Sequence, residues 1–415
     1  MMSEKWSGIL SRIGRYLGFF FEWTALAALC GAACGAVGAL FGWAVGTADG
    51  LFADYGWLLY LLPAAGLAIA LMYHLAGVQR DQGANLVMLS LRTGDGMPQG
   101  VVPRIFMGTV LTHLCGGSAG KEGAALMSGA GIATWFERAL HLKEDAAKRM
   151  TMCGMSALFA AVFGTPVTAA VFSMEVAAVG AFRYNALYPC LVASLTGWGV
   201  SSLLGTAPER MPAIAVPAGD AWNILRTAAL AVACALCSIL FLSVIHLAGH
   251  LYRKYLPNLF LRAAAGGVLV IAVTLLLGTR DYNGAGMGLA IQAVEGRAVP
   301  WAFLAKILLT ALTMGAGYKG GEIVPSFFIG AALGCTAGPF LGLDAGFAAA
   351  VGLVALFCSV VNCPIASIVL AVELFGGEGL WFFALACGVS YLMSGYYSLY
   401  AEQKIIYSKL GQKGK

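Results

Sequence analysis

Apolar residues run in blocks along the chain, near 19–49, 56–78, 101–117, 123–140, 150–179, 184–205, 222–249, 261–278, 301–316, 323–341, 345–375 and 379–397. The polar breaks between them are short, the largest being 79–104, 141–149, 206–221, 250–262 and 279–300. Several blocks fall below the ~20 residues of a straight membrane span. Others are too long for one span and carry Gly or Pro inside. This pattern predicts tilted, broken and re-entrant helices in an all-α polytopic membrane protein rather than a uniform bundle.

Two of the blocks repeat one another. Residues 154–176 read GMSALFAAVFGTPVTAAVFSMEV, and residues 352–374 read GLVALFCSVVNCPIASIVLAVEL. Both fit G-x-x-A-L-F-x-x-V-x-x-x-P-[VI], with a Glu nine residues after the Pro. Gly154, Pro166 and Glu175 correspond to Gly352, Pro364 and Glu373 at a constant offset of 198 residues. Upstream, GGSAGKE ends at Glu122 and GAGYKGGE ends at Glu322. The chain therefore reads as a duplication of two halves, with a transport site expected where they meet.

Composition narrows the class. Hydrophobic residues make up 60% and charged residues only 11% of the 415 residues, with a mean hydropathy of +0.82. A soluble domain carries about a quarter charged residues, so this surface must face lipid. The net charge of +5 comes from scattered basic residues, which excludes a nucleic-acid partner. The 11 cysteines lie almost wholly in apolar stretches. They read as small packing groups rather than metal or redox centres, so no metal or cofactor is expected. No small-residue cleavage site follows Lys5, Arg12 and Arg15, so no cleavable signal peptide is expected.

These residues, with Lys404, Lys409, Lys413 and Lys415 at the other end, place both termini in the cytoplasm by the positive-inside rule. Each half then crosses an odd number of times, and the halves are inverted. The expected organisation is a cytoplasmic arm over 1–18, a first membrane repeat over 19–205 and a Pro-rich linker over 206–221. A second repeat over 222–400 and a short cytoplasmic tail over 401–415 follow, with no regulatory domain. The expected location is the cell (inner) membrane.

The candidate chemistry lies in two Gly-rich loops. In GGSAGKEGAALMSGAG (116–131), glycines flank Glu122 just before an apolar helix. Such a loop presents unpaired N–H groups and a positive dipole end, an anion site that needs no basic side chain. Gly120, Lys121 and Gly123 are its candidate anion contacts. An ionised Glu122 can fill that site itself, and a protonated one can leave it. One residue can thus gate an anion path and carry a proton; the plainer alternative is a Glu paired to Lys121 or facing a loop. The mirror loop, GAGYKGGEIVPSFFIGAALG (315–334), leads through Glu322 to a second apolar helix. Near 396–400 stand Tyr396, Tyr397 and Tyr400, whose hydroxyls can serve an anion or an interfacial aromatic belt.

Over about residues 20–405 the chain resembles the CLC family of chloride channels and proton-coupled anion antiporters. GKEGA at 120–124 is similar to the family's G-[RK]-E-G-P loop, which implies that Glu122 is the external gating glutamate. GEIVP at 321–325 is similar to its G-x-F-x-P loop, so Ile323 and Val324 would line the central anion site. Tyr397-Ser398 matches the pore tyrosine. The resemblance further implies a homodimer with one pathway per subunit. The departures are informative. Gln82, after Asp81, stands where the family's first loop places a Ser, and Val176 stands where chloride-proton antiporters carry an internal glutamate. Glu322 is absent from chloride members. Together these features resemble the fluoride-exporting branch.

The resulting expectation is a fluoride/proton antiporter that exports fluoride, with Glu122 as gate and Glu322 on the proton pathway. Fluoride is small and strongly hydrated, and a Gln82 amide offers more donors than a Ser. A chloride/proton antiporter and a passive chloride channel are the alternatives within the family. An intramembrane serine hydrolase is the remote one, since Gly116-Gly117-Ser118-Ala119-Gly120 matches G-x-S-x-G. For that reading the nearest histidine, His113, has no evident acid partner. His246 and His250 lack the Glu of a zinc protease, and no Walker A pattern occurs.

Overall fold

A computed structural model describes residues 2–78, 82–206 and 210–410. The first half holds α1 (Met2–Asp54), α2 (Leu62–Leu75), α3 (Asn85–Thr93), α4 (Val101–Leu114), α5 (Glu122–Ala139), α6 (Glu144–Phe163), α7 (Pro166–Glu175) and α8 (Leu187–Leu203). The second holds α9 (Ala221–Tyr255), α10 (Leu259–Leu277), α11 (Met287–Val294), α12 (Ala302–Ala316), α13 (Ile323–Ala337), α14 (Ala345–Val361), α15 (Pro364–Phe375) and α16 (Leu380–Met393). Eight helices correspond one to one with eight. Residues 207–209 of the expected linker and 411–415 of the tail, with Lys413 and Lys415, lie outside the described residues.

The fold is the expected all-α polytopic one. Among the described residues five helical stretches are long and apolar enough to cross a membrane, and several more, such as α12 and α13, are apolar but shorter. Two long apolar blocks break where their prolines predicted. α6 stops at Gly164, which is left-handed at φ 71°, and α7 begins at Pro166. α14 stops at Asn362, left-handed at φ 55°, and α15 begins at Pro364. Gly and Asn are the residues that tolerate this conformation, and Pro at the first helical position loses no hydrogen bond. Two short helices, α3 and α11, fall inside stretches that the apolar pattern assigned to polar breaks. α3 mixes Asn85, Ser90, Arg92 and Thr93 with its apolar residues, so no apolar block announces it.

Each position of the repeated motif has a structural cause. The glycines mark helix crossings. α5 meets α6 where Gly129 faces Gly154, and α13 meets α14 where Gly330 faces Gly352. A Cβ on any of the four would run into the facing backbone carbonyl. α6 from Met150 to Val162 and α14 from Gly346 to Val361 are buried throughout, which is why they read apolar on every side. The outer helices α1, α2, α9 and α10 instead expose large apolar residues such as Trp43, Leu71, Trp222 and Leu276.

The glutamates bind the halves together. Glu373 accepts the Val167 and Thr168 N–H groups at 2.9 and 2.7 Å, at the start of α7. Glu175 accepts the Ile365 and Ala366 N–H groups at 3.1 and 2.8 Å, at the start of α15. Each helix thus ends in the cap of the other. This is possible because α7 and α15 run in opposite directions, with the Glu nine residues after the Pro in both. Carboxylates there satisfy orphan N–H groups and the dipole at once. A small parallel pair, β1 (Ala178–Val179) with β2 (Lys404–Ile405), lays the C-terminal segment against the first half. Removing a cap leaves two N–H groups at a helix start without their acceptor. Glu175→Ala and Glu373→Ala are each expected to cost about 1–2 kcal/mol, read as a lowered melting temperature of the detergent-solubilised protein, and Glu→Gln to recover part of the loss.

Candidate functional site

The two Gly-rich loops meet in the centre. Gly120 N–H donates to the Gly321 carbonyl at 2.7 Å, and Gly321 N–H donates to the Gly120 carbonyl at 2.8 Å, an antiparallel backbone pair between the halves. α5 and α13 start immediately after it, so their N-termini converge. Approach this close excludes side chains: a Cβ on Gly123 would lie 2.6 Å from the Gly320 carbonyl oxygen. The first loop is also pinned from the second half. Asn283 Nδ2 donates to the Gly116 carbonyl at 2.6 Å, and Ser118 N–H donates to Thr313 Oγ1 at 3.1 Å.

Glu122 is fully buried at this junction. Its carboxylate folds back over Gly120 and Gly321. It faces the Val324 N–H in the first turn of α13, although neither oxygen makes a hydrogen bond of good geometry. The side chain therefore sits against the positive end of the opposite half's helix. Lys121 precedes it but lines a different cavity of about 510 Å³, between α1 and α8. Glu322 caps α13 without a side-chain hydrogen bond to it and is half-buried, within Coulombic range of Glu122. Ile323 and Val324 are buried in the first turn of α13. Val176, where a second carboxylate could stand, is buried, and its carbonyl accepts from Gln403 Nε2 at 2.9 Å.

Two expected contacts lie elsewhere. Tyr397 is 46% exposed, and its carbonyl accepts from Asn362. Tyr400, three residues on, is 3% exposed and within Coulombic range of both Glu322 and Glu122. The segment that holds it is fixed by Gln403 Nε2, which also donates to the Val361 carbonyl at 2.8 Å. The spacing of three tyrosines gave no means of choosing among them. Gln82 is exposed, and Asp81 lies outside the described residues. Asn85, which opens α3, is half-buried and reaches the Tyr400 segment, where its Oδ1 accepts the Glu402 N–H at 3.2 Å.

Other groups went unread. Lys306 is fully buried in α12, donates to the carbonyls of Gly284 at 2.6 Å and Tyr282 at 3.1 Å, and lies within Coulombic range of Glu122. A lone lysine in an apolar helix was a signal the sequence did offer. His113 does have an acid partner, Asp49, 64 residues upstream. It is not poised on Ser118, whose hydroxyl donates to the Tyr282 carbonyl and meets Thr310 Oγ1, both at 3.0 Å. No Ser–His pair of a hydrolase forms there. Among the described residues no cluster of three metal-ligating side chains occurs, and the cysteines are all buried and free.

Comparisons with known proteins agree with this architecture. The family model for voltage gated chloride channels matches residues 65–395. A chloride/fluoride channel protein of Pseudomonas syringae pv. tomato is 35% identical over 400 residues, 95% of this chain and 88% of its own. The solved structure of a CLC-type fluoride/proton antiporter superposes with a TM-score of 0.89 at 30% identity, over 93% of this chain and 98% of that one. A slow cyanobacterial Cl-/H+ antiporter shares the fold at a TM-score of 0.77 and 18% identity, over 90% and 94% of the two chains. Because the central loops touch backbone to backbone, Gly123→Ala is expected to lower stability by about 1–3 kcal/mol, seen as a lower melting temperature in detergent.

Proposed function

This chain belongs to the voltage-gated chloride channel family, and we propose that it is a fluoride/proton antiporter that exports fluoride from the cytoplasm. The observation that carries the reading is the pair of carboxylates, Glu122 and Glu322, set at facing helix N-termini on either side of the Gly120–Gly321 pair. The printed names of the relative from Pseudomonas syringae and of the CLC-type fluoride/proton antiporter support it.

The mechanism follows from the geometry. Ionised, Glu122 fills the positive junction and blocks it. Protonated, it loses that attraction and moves aside, and an anion takes its place among the N–H groups of α13. Glu322, a neighbour that repels a second negative charge, takes up the proton as the anion arrives and passes it inward. Val176 provides no carboxylate for the route used by chloride antiporters, so Glu322 carries that duty. Fluoride holds water tightly and needs compact donors in exchange. The Tyr400 hydroxyl, rather than that of Tyr397, and the Asn85 amide, rather than that of Gln82, supply them beside the backbone groups of Gly120, Gly123, Ile323 and Val324. Lys121 acts through its field. Two such chains form a homodimer in the cell membrane with both termini cytoplasmic.

The test is ion flux from proteoliposomes, with anion and pH read together. Fluoride efflux coupled to uphill proton movement, with little chloride flux, is expected; equal chloride flux or absent proton movement would overturn the reading. Glu122→Gln is expected to pass fluoride without moving protons. Tyr400→Phe should weaken apparent fluoride affinity roughly fivefold, the worth of one neutral donor, whereas Tyr397→Phe should leave it within about twofold, both measured from the concentration dependence of flux.

A further inference from the structure

We infer that Asp49 and His113 form the proton entry to Glu122 from the side of the membrane opposite the N-terminus. The inference rests on the proton-coupled reading above. Glu122 in this conformation is closed to solvent, and both its oxygens are buried without a hydrogen-bond partner. A proton must therefore reach it through other groups. Asp49 lies near the end of α1 with a side chain 43% exposed, on the wall of a cavity of about 980 Å³ bounded also by the loop from Gly278 to Gly288. Its Oδ1 lies 2.8 Å from Nδ1 of His113. The His113 ring is fully buried near the end of α4. Its other nitrogen, Nε2, makes no hydrogen bond of good geometry; the ring faces the Gly120 carbonyl and lies within Coulombic range of the Glu122 carboxylate.

Three protonatable groups thus lead from an open cavity to a sealed carboxylate: Asp49 and His113 in hydrogen-bond contact, and Glu122 within Coulombic range of the ring. A buried imidazole with one nitrogen bonded to a carboxylate and the other unused is the arrangement of a proton shuttle. The proton balance closes. Asp49 takes a proton from cavity water and passes it to His113 Nδ1. The Nε2–H bond then breaks as a Glu122 O–H bond forms, which leaves a neutral ring and a neutral gate. The charged groups that face His113 are Asp49 on α1 and Glu122 at the start of α5; Lys306 on α12 lies within Coulombic range of both carboxylates.

The experiment is proton-coupled fluoride flux in proteoliposomes over a range of external pH. His113→Ala is expected to slow coupled turnover roughly tenfold or more, in line with lost acid–base transfer, and external imidazole should restore it. His113→Gln, which keeps a donor toward Asp49, should be equally slow and not rescued. Asp49→Asn should move the pH dependence of flux toward lower pH. Wild-type turnover in both His113 variants would overturn the relay. So would slowing of His113→Ala that imidazole leaves unchanged, because His113 would then hold the gate's shape and not its proton. A wild-type protein that moved fluoride but no protons would instead defeat the antiporter reading itself, a result distinct from either.

Discussion

The interior depends on an electrostatic constraint: two helix N-termini point at one place. Each start of α5 and α13 carries roughly half a positive charge from its aligned peptides. Brought together by the Gly120–Gly321 backbone pair, they would repel one another in a buried, weakly screening interior. The group that lies between them, and can supply a negative charge there, is the Glu122 carboxyl. The tight loops and the missing side chains at Gly120, Gly123 and Gly321 keep that junction narrow.

The remaining contacts hold the junction still. α6 and α14 are buried along most of their length and form the stiff centre of each half. α5 and α13 lie against them through glycine crossings that bring backbones within van der Waals reach. The C-terminal segment then ties across both halves, because Gln403 donates to Val176 in the first and Val361 in the second. A site assembled from both halves and the tail has no part that folds into place alone.

What was legible in the sequence was whatever a short stretch specifies by itself. Pro166 and Pro364 announced the helix breaks, the Gly-rich loops before Glu122 and Glu322 announced the anion junction, and the matching glutamates announced the duplication. Contacts between distant stretches were not legible. Tyr397 and Tyr400 are equivalent as letters, and only the turn fixed by Gln403 buries one and exposes the other. Gln82 was matched to the Ser of the family's first loop, and the break 79–104 gave no sign that a helix, α3, starts at Asn85. Asp49 and His113 are 64 residues apart, and no pattern links them before the chain folds.

The crossed caps of α7 and α15 bear on how the two copies can vary. A single half, taken alone, would have a helix start with no partner and a buried carboxylate with nothing to bind. A second identical copy inserted upside down answers both needs with the same residue, since what each lacks the other has to spare. Glu175 and Glu373 therefore make one and the same contact in both directions across the two copies. A change to the helix start of one copy is felt at the carboxylate of the other, so neither copy is free to vary alone.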